Sequence, residues 1–103
     1  MIEVDFPAAV DGKVQLRVTG HSGSAERGKD VVCAAVSTLV QTFAGGIQAC
    51  LNGEVSGNID SGACDLSLEV PETGREQLET VCKVFKFGFR KIAESYPEHV
   101  KLN

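Results

Sequence analysis

At 103 residues the chain is sized for one domain, residues 1–103, with a single core of modest depth. Apolar residues make up 43% and charged residues 23%, an ordinary globular balance that argues against disorder. The net charge of -4 argues against a protein that coats nucleic acid, although an acidic surface can steer a basic polypeptide toward a site.

Ile2, Val4 and Phe6 alternate with Glu3 and Asp5, the period-2 pattern of a half-buried strand. This opening has no basic region followed by an apolar run, so it does not read as a secretory signal. Pro7 and Asp11-Gly12 punctuate a turn, and Val14, Leu16 and Val18 then alternate with Lys13, Gln15 and Arg17. This second strand is expected to pair with the first as a hairpin and to run out at Thr19-Gly20-His21.

Ser22 to Lys29 has neither period and reads as an exposed, mobile loop of small and charged residues. Asp30 suits a helix N-cap, because its carboxylate can accept from the unpaired N–H groups of the first turn. A helix is predicted from there to about Ala44, weakened by Gly45-Gly46, with a continuation to Leu51 before Asn52-Gly53 stops it. Ser37, Thr38, Gln41, Thr42 and Gln48 break the apolar run from Val31 to Leu51, so no membrane span is expected.

Val55, Gly57 and Ile59 suggest a weaker strand, Asp60-Ser61-Gly62 a turn, and Cys64, Leu66, Leu68 and Val70 one face of a clearer strand. The final helix, near Gly74 to Tyr96, gathers Leu78, Val81, Cys82, Phe85, Phe89 and Ile92 in one arc. Val100 and Leu102 suggest a short edge strand. The order β-β-α-β-β-α implies an α+β two-layer sandwich, two helices on a small antiparallel or mixed sheet.

Four cysteines without C-x-x-C spacing, and two distant histidines, give no zinc pattern, so neither metal nor other cofactor is expected. In a cytoplasmic chain, the location expected here, they should be thiols. Cys64 and Cys82 fall in phase with core residues, and Cys50 lies near the centre of the apolar arc of the first helix. All three read as small buried hydrophobes. Cys33 instead lies at the border of that arc, in the first turn if Asp30 is the cap, where the helix dipole favours thiolate. The N–H groups there could also stabilise an oxyanion, and Ser37, one turn on, could hydrogen-bond the sulfur. His21, at the end of a strand twelve residues earlier, could meet this thiol. A fourth packed thiol and a solvated histidine are the plainer alternatives, and His99 reads as a surface residue.

Gly20-His21-Ser22-Gly23, Ala25, Gly28, Asp30 and the run Val31 to Ser37 closely resemble the signature of the ribosomal-processing cysteine protease (Prp) family. The element order and Tyr96-Pro97-Glu98 are also similar, so the resemblance spans essentially the whole chain. It implies a homodimeric cysteine endopeptidase that removes the N-terminal extension of a large-subunit ribosomal protein precursor. It binds that segment and neither nucleic acid nor membrane. His21 is then the general base and Cys33 the nucleophile. Asp30 and Ser37 support them, and Ser22, Gly23, Ser24, Ala25 and Gly28 form the substrate loop, closing over the peptide as a lid. Ser24 departs from the larger, often aromatic residue expected there, and no third catalytic residue is evident. Two rivals remain: a non-catalytic ribosome-associated adaptor, whose peptide binding would survive alkylation of Cys33, and a thiol redox sensor. The sensor needs a resolving cysteine, yet Cys50 would lie about 26 Å along a continuous helix.

Overall fold

The two alternating segments at the start of the chain form β1 (Ile2–Asp5) and β2 (Lys13–Thr19), paired antiparallel with Val4 opposite Val18. In the computed structural model residues 1–20, 27–60 and 63–103 are described, with the side chains of all but 27–30 and 60. Asp11 and Gly12 both take left-handed angles, φ 52° and 76°, between Val10 and Lys13. Those two residues exchange backbone hydrogen bonds of 2.9 and 3.0 Å, so the Asp-Gly pair makes the tight turn whose twist suits a hairpin.

Helix α1 runs from Arg27 to Leu51 without a break. Gly45 and Gly46 do not end it, because Phe43, Ala44 and Ile47 around them are buried and hold both halves against the core. Asn52, at φ 53°, turns the chain out, and the Gly53 N–H donates to the Ile47 carbonyl at 3.0 Å. Strands β3 (Glu54–Asp60) and β4 (Ala63–Glu69) follow as a second antiparallel hairpin. A 3-10 turn at Glu72–Gly74 leads into α2 (Arg75–Ser95), and β5 (Val100–Leu102) closes the order.

The sheet order is β3-β4-β2-β1-β5, and β1 and β5 are parallel while the other pairs are antiparallel, so the sheet is mixed. This is the expected α+β sandwich with the edge strand at Val100 and Leu102 realised. Val14, Leu16, Val18, Cys64, Leu66 and Leu68 are buried on the helix side, and their alternating neighbours are exposed on the other. Phe6 meets Phe43 edge-on at 5.0 Å and Phe89 at 5.8 Å, joining the sheet to both helices.

One expectation changes here. By length and composition alone, Val31–Leu51 is long and apolar enough to cross a membrane, since the polar residues within it are uncharged hydroxyls and amides. In the fold, its Val32, Val36, Val40, Phe43 and Ile47 face are buried against the sheet.

Candidate active site

Connectivity brings several segments to one end of the sheet. β2 ends there at Thr19, opposite Ala63 of β4 and Glu3 of β1, and α1 sets out from the same end. Gly20 sits at that exit with φ 83°, and a Cβ on it would collide with the Met1 carbonyl. Only a residue without a side chain fits both conditions, so Gly20 fixes how the chain leaves β2 toward the next position, His21. His21, Ser22, Gly23, Ser24 and Ala25 lie outside the described residues.

The helix start differs from expectation. α1 begins at Arg27, so Gly28 and Asp30 are helical and Asp30 falls in the first turn rather than at the cap. The loop expected to reach Lys29 therefore ends earlier. Cys33 is the seventh helical residue, and its amide falls inside the i to i−4 ladder. The N–H groups without helical acceptors are those of the first four residues, Arg27 to Asp30. Oxyanion stabilisation by the helix start would come from these, not from the Cys33 amide.

The four cysteines, all thiols, separate by position. Cys64 and Cys82 are buried, as their phase predicts. Burial pushes the Cys64 thiol up, with the neighbouring Asp65 charge adding to it. Burial likewise pushes Cys82 up to about 11, reinforced by Glu79 and opposed by Lys86. A cavity of about 380 Å³ at the far end of the sheet, between Phe6, Pro7 and the Lys83 and Lys86 stems, has Cys82 in its wall. A thiol held so firmly protonated is a poor nucleophile, so this cavity does not compete as a cysteine-protease site. Cys50 corrects the sequence reading, for it is exposed. Its angle points toward the core, but no element covers it in the last turn of α1. The continuous helix keeps it about 26 Å along the axis from Cys33, too far for a resolving partner within one chain.

Cys33 is half-buried and packs against the core from its border. With about 100° per residue, Leu39 lies about 60° to one side of Val36 and Cys33 about 60° to the other, with Ser37 beyond it. α2 occupies the Leu39 flank, since a Cβ on Gly88 would stand 3.2 Å from Leu39 Cδ1. Cys33 and exposed Ser37 therefore lie on the flank of α1 turned away from α2. His99 was expected on the surface, yet it is half-buried at the same end as Gly20. Its carbonyl accepts from the Ile2 N–H at 2.8 Å, a role that a sequence carries no signal for.

The family model for cysteine protease Prp matches residues 1–101. The chain belongs to the Prp cysteine protease family. It is a cysteine protease. A curated relative, the ribosomal processing cysteine protease Prp of Staphylococcus aureus, is 25% identical over 104 residues, covering 100% of this chain and 98% of its own. A Staphylococcus aureus Prp structure with a covalently linked product peptide superposes with a TM-score of 0.76 at 25% identity, over 100% of this chain and 98% of that one. A Streptococcus mutans crystal structure gives 0.80 at 29% identity, over 100% and 92%. Prp membership makes a nucleophilic thiol necessary. Of the two thiols outside the core, Cys33 stands at the end of the sheet where Gly20 leads to His21.

Proposed function

We propose that this Prp-family chain removes the N-terminal extension of a large-subunit ribosomal protein precursor, with Cys33 as nucleophile and His21 as general base. The observation that carries it is the position of Cys33, half-buried near the start of α1 on the flank away from α2, while Cys64 and Cys82 are locked in the core. The names of the Staphylococcus aureus relatives, and the product peptide bound covalently to one of them, support the peptide and its ribosomal origin.

His21 takes the Cys33 proton, and the thiolate forms a bond to the scissile carbonyl carbon as the carbonyl electrons move to oxygen. Backbone N–H groups at the start of α1 stabilise that oxyanion. When the tetrahedral species collapses, the C–N bond breaks and the protonated His21 gives its proton to the leaving amine. Water, deprotonated by His21, then hydrolyses the thioester and restores the thiol. Ser37 orients the sulfur, Asp30 adds its charge to the first turn of α1, and Ser22, Gly23, Ser24 and Ala25 contact the peptide.

The protease acts in the cytoplasm, where thiols stay reduced, and works as a homodimer. Val84 and Phe87 are exposed on α2, Lys91 lies 5.5 Å over the Phe87 ring, and α1 has no charged residue from Val31 to Leu51. Phe87→Ser should shift sedimentation toward the monomer; an unchanged dimer refutes Phe87 as a contact.

The deciding experiment mixes the purified protein with precursor peptide and reads products by mass spectrometry. Wild type should make a single cut, and Cys33→Ala should make none while keeping its circular dichroism spectrum. Cutting by Cys33→Ala removes this nucleophile, and binding without cutting by wild type favours the adaptor.

A further inference from the structure

β1 is covered along its outer side only in part. β5 runs beside it from Ile2 to Val4, and the Asn103 N–H closes on the Val4 carbonyl at 2.8 Å. Past that point the chain continues through Phe6 to Ala9, and between this segment and α2 lies the cavity of about 380 Å³ with Cys82 in its wall. It stands away from the end of the sheet that carries Gly20 and the start of α1.

The two walls differ in chemistry. The loop supplies Phe6, Pro7, Ala8 and Ala9, all apolar, with Phe6 buried and Ala9 packed against the core. Pro7 also has no N–H to offer, so this wall is poor in donors. α2 supplies Glu79, Cys82, Lys83 and Lys86, which at spacings of three and four residues share one side of the helix. Lys86 is half-buried, and neither lysine forms an ion pair among the described residues, where the pairs are Arg17 with Asp65 and Lys91 with Glu94. Besides burial, the charges of Glu79 and Lys86 both act on the Cys82 thiol, the first raising its pKa and the second lowering it. Two ammonium groups against one carboxylate leave the rim net positive above an apolar floor.

We propose that this cavity binds one small amphipathic carboxylate, a free single-chain acid whose apolar body lies against Phe6, Pro7 and Cys82 and whose head sits between Lys83 and Lys86. The site does not depend on the peptide-cleavage reading. Apolar walls with a few convergent polar groups are the usual make-up of a small-molecule site. The volume is about a dozen times the roughly 30 Å³ that a water occupies, room for about ten carbons and a head group. A lipid with two long chains does not fit. Burial of the chain supplies most of the affinity. The head stays at the solvated rim, where ion pairs are weak, so the lysines chiefly select its sign. Glu79 on the same rim opposes a second negative charge, which favours a monoanion.

The test titrates the wild-type protein with sodium decanoate, kept below its micelle threshold, by calorimetry and by amide NMR. Decanoate should saturate at one per chain with a Kd below about 1 mM. The shifted amides should gather at Phe6, Ala8 and Ala9 and along α2 from Glu79 to Lys86. Decylammonium, the same chain with the opposite charge, should bind at least about tenfold more weakly. The double variant Lys83→Gln, Lys86→Gln should weaken decanoate by about five- to tenfold with an unchanged circular dichroism spectrum. Equal binding of the two probes, or wild-type decanoate binding by a folded double variant, removes the lysine-held head and overturns the proposal. Absence of saturation by about 5 mM decanoate overturns it as well. Shifts gathered at the Gly20 end instead would place the probe elsewhere and refute this cavity as the site, with no variant needed.

Discussion

Replacing Gly20 with alanine strikes the backbone joint between β2 and His21. At φ 83° an L-residue loses about 1–2 kcal/mol against glycine. The new Cβ would also overlap the Met1 carbonyl, a backbone atom and not the yielding end of a long side chain. Because Ile2 is tied to the His99 carbonyl at 2.8 Å and paired in the sheet, Met1 cannot move far without disturbing β1. The two effects together should cost about 2–3 kcal/mol, and in a domain of this size that lowers Tm by roughly 10–20 °C. Thermal unfolding followed by far-ultraviolet circular dichroism reads the shift, and peptide cleavage below the transition tests the proposed role of His21. Gly20→Asn separates the causes, since asparagine tolerates left-handed angles but brings the same Cβ. It should keep only the cost of the contact, about 1 kcal/mol, and so fall between wild type and alanine. An asparagine variant as stable as wild type would refute the contact argument, and a wild-type Tm for alanine would refute both.

Two further outcomes follow from the same coordinates. Gly45→Ala should stabilise the protein by about 0.5–1 kcal/mol, since a Cβ there meets nothing within 4 Å and the site is helical; a loss in denaturant titration would contradict the described helix. Cys82 keeps its proton longer folded than unfolded, so the unfolded state ionises first and stability should fall as pH rises from near 9 to about 11. Cys82→Val should show a shallower fall over that window in urea titrations, and identical slopes would contradict the raised value.

Much of the frame was legible because alternation in β1, β2 and β4 is strict, with one face buried and one wet. The start of α1 was not, because Asp30 looks like a cap while Gly28 and Lys29 carry no helix signal, and the chain is helical from Arg27 regardless. Angular position told which way Cys50 and Ile59 point but not whether an element lies there to cover them, and both are exposed. The parallel docking of β5 on β1 was equally hidden, for three residues carry no direction. The different burial of Cys33 was legible because its phase differs from those of Cys64 and Cys82. Neither phase nor motif locates the His21 side chain.

The pairing of β5 with β1 also bears on the life of the chain before folding. Val4 lies beside Leu102, and the Val4 carbonyl accepts from the Asn103 N–H at 2.8 Å, so nearly the whole sequence separates two neighbouring strands. A ribosome must translate through Leu102 before β1 has its second neighbour and Met1 is braced against Gly20. Contacts so distant in sequence form late, after the local hairpins and helices. The nascent chain therefore emerges with the Gly20 joint unsupported, and that joint is braced only once β5 has been made.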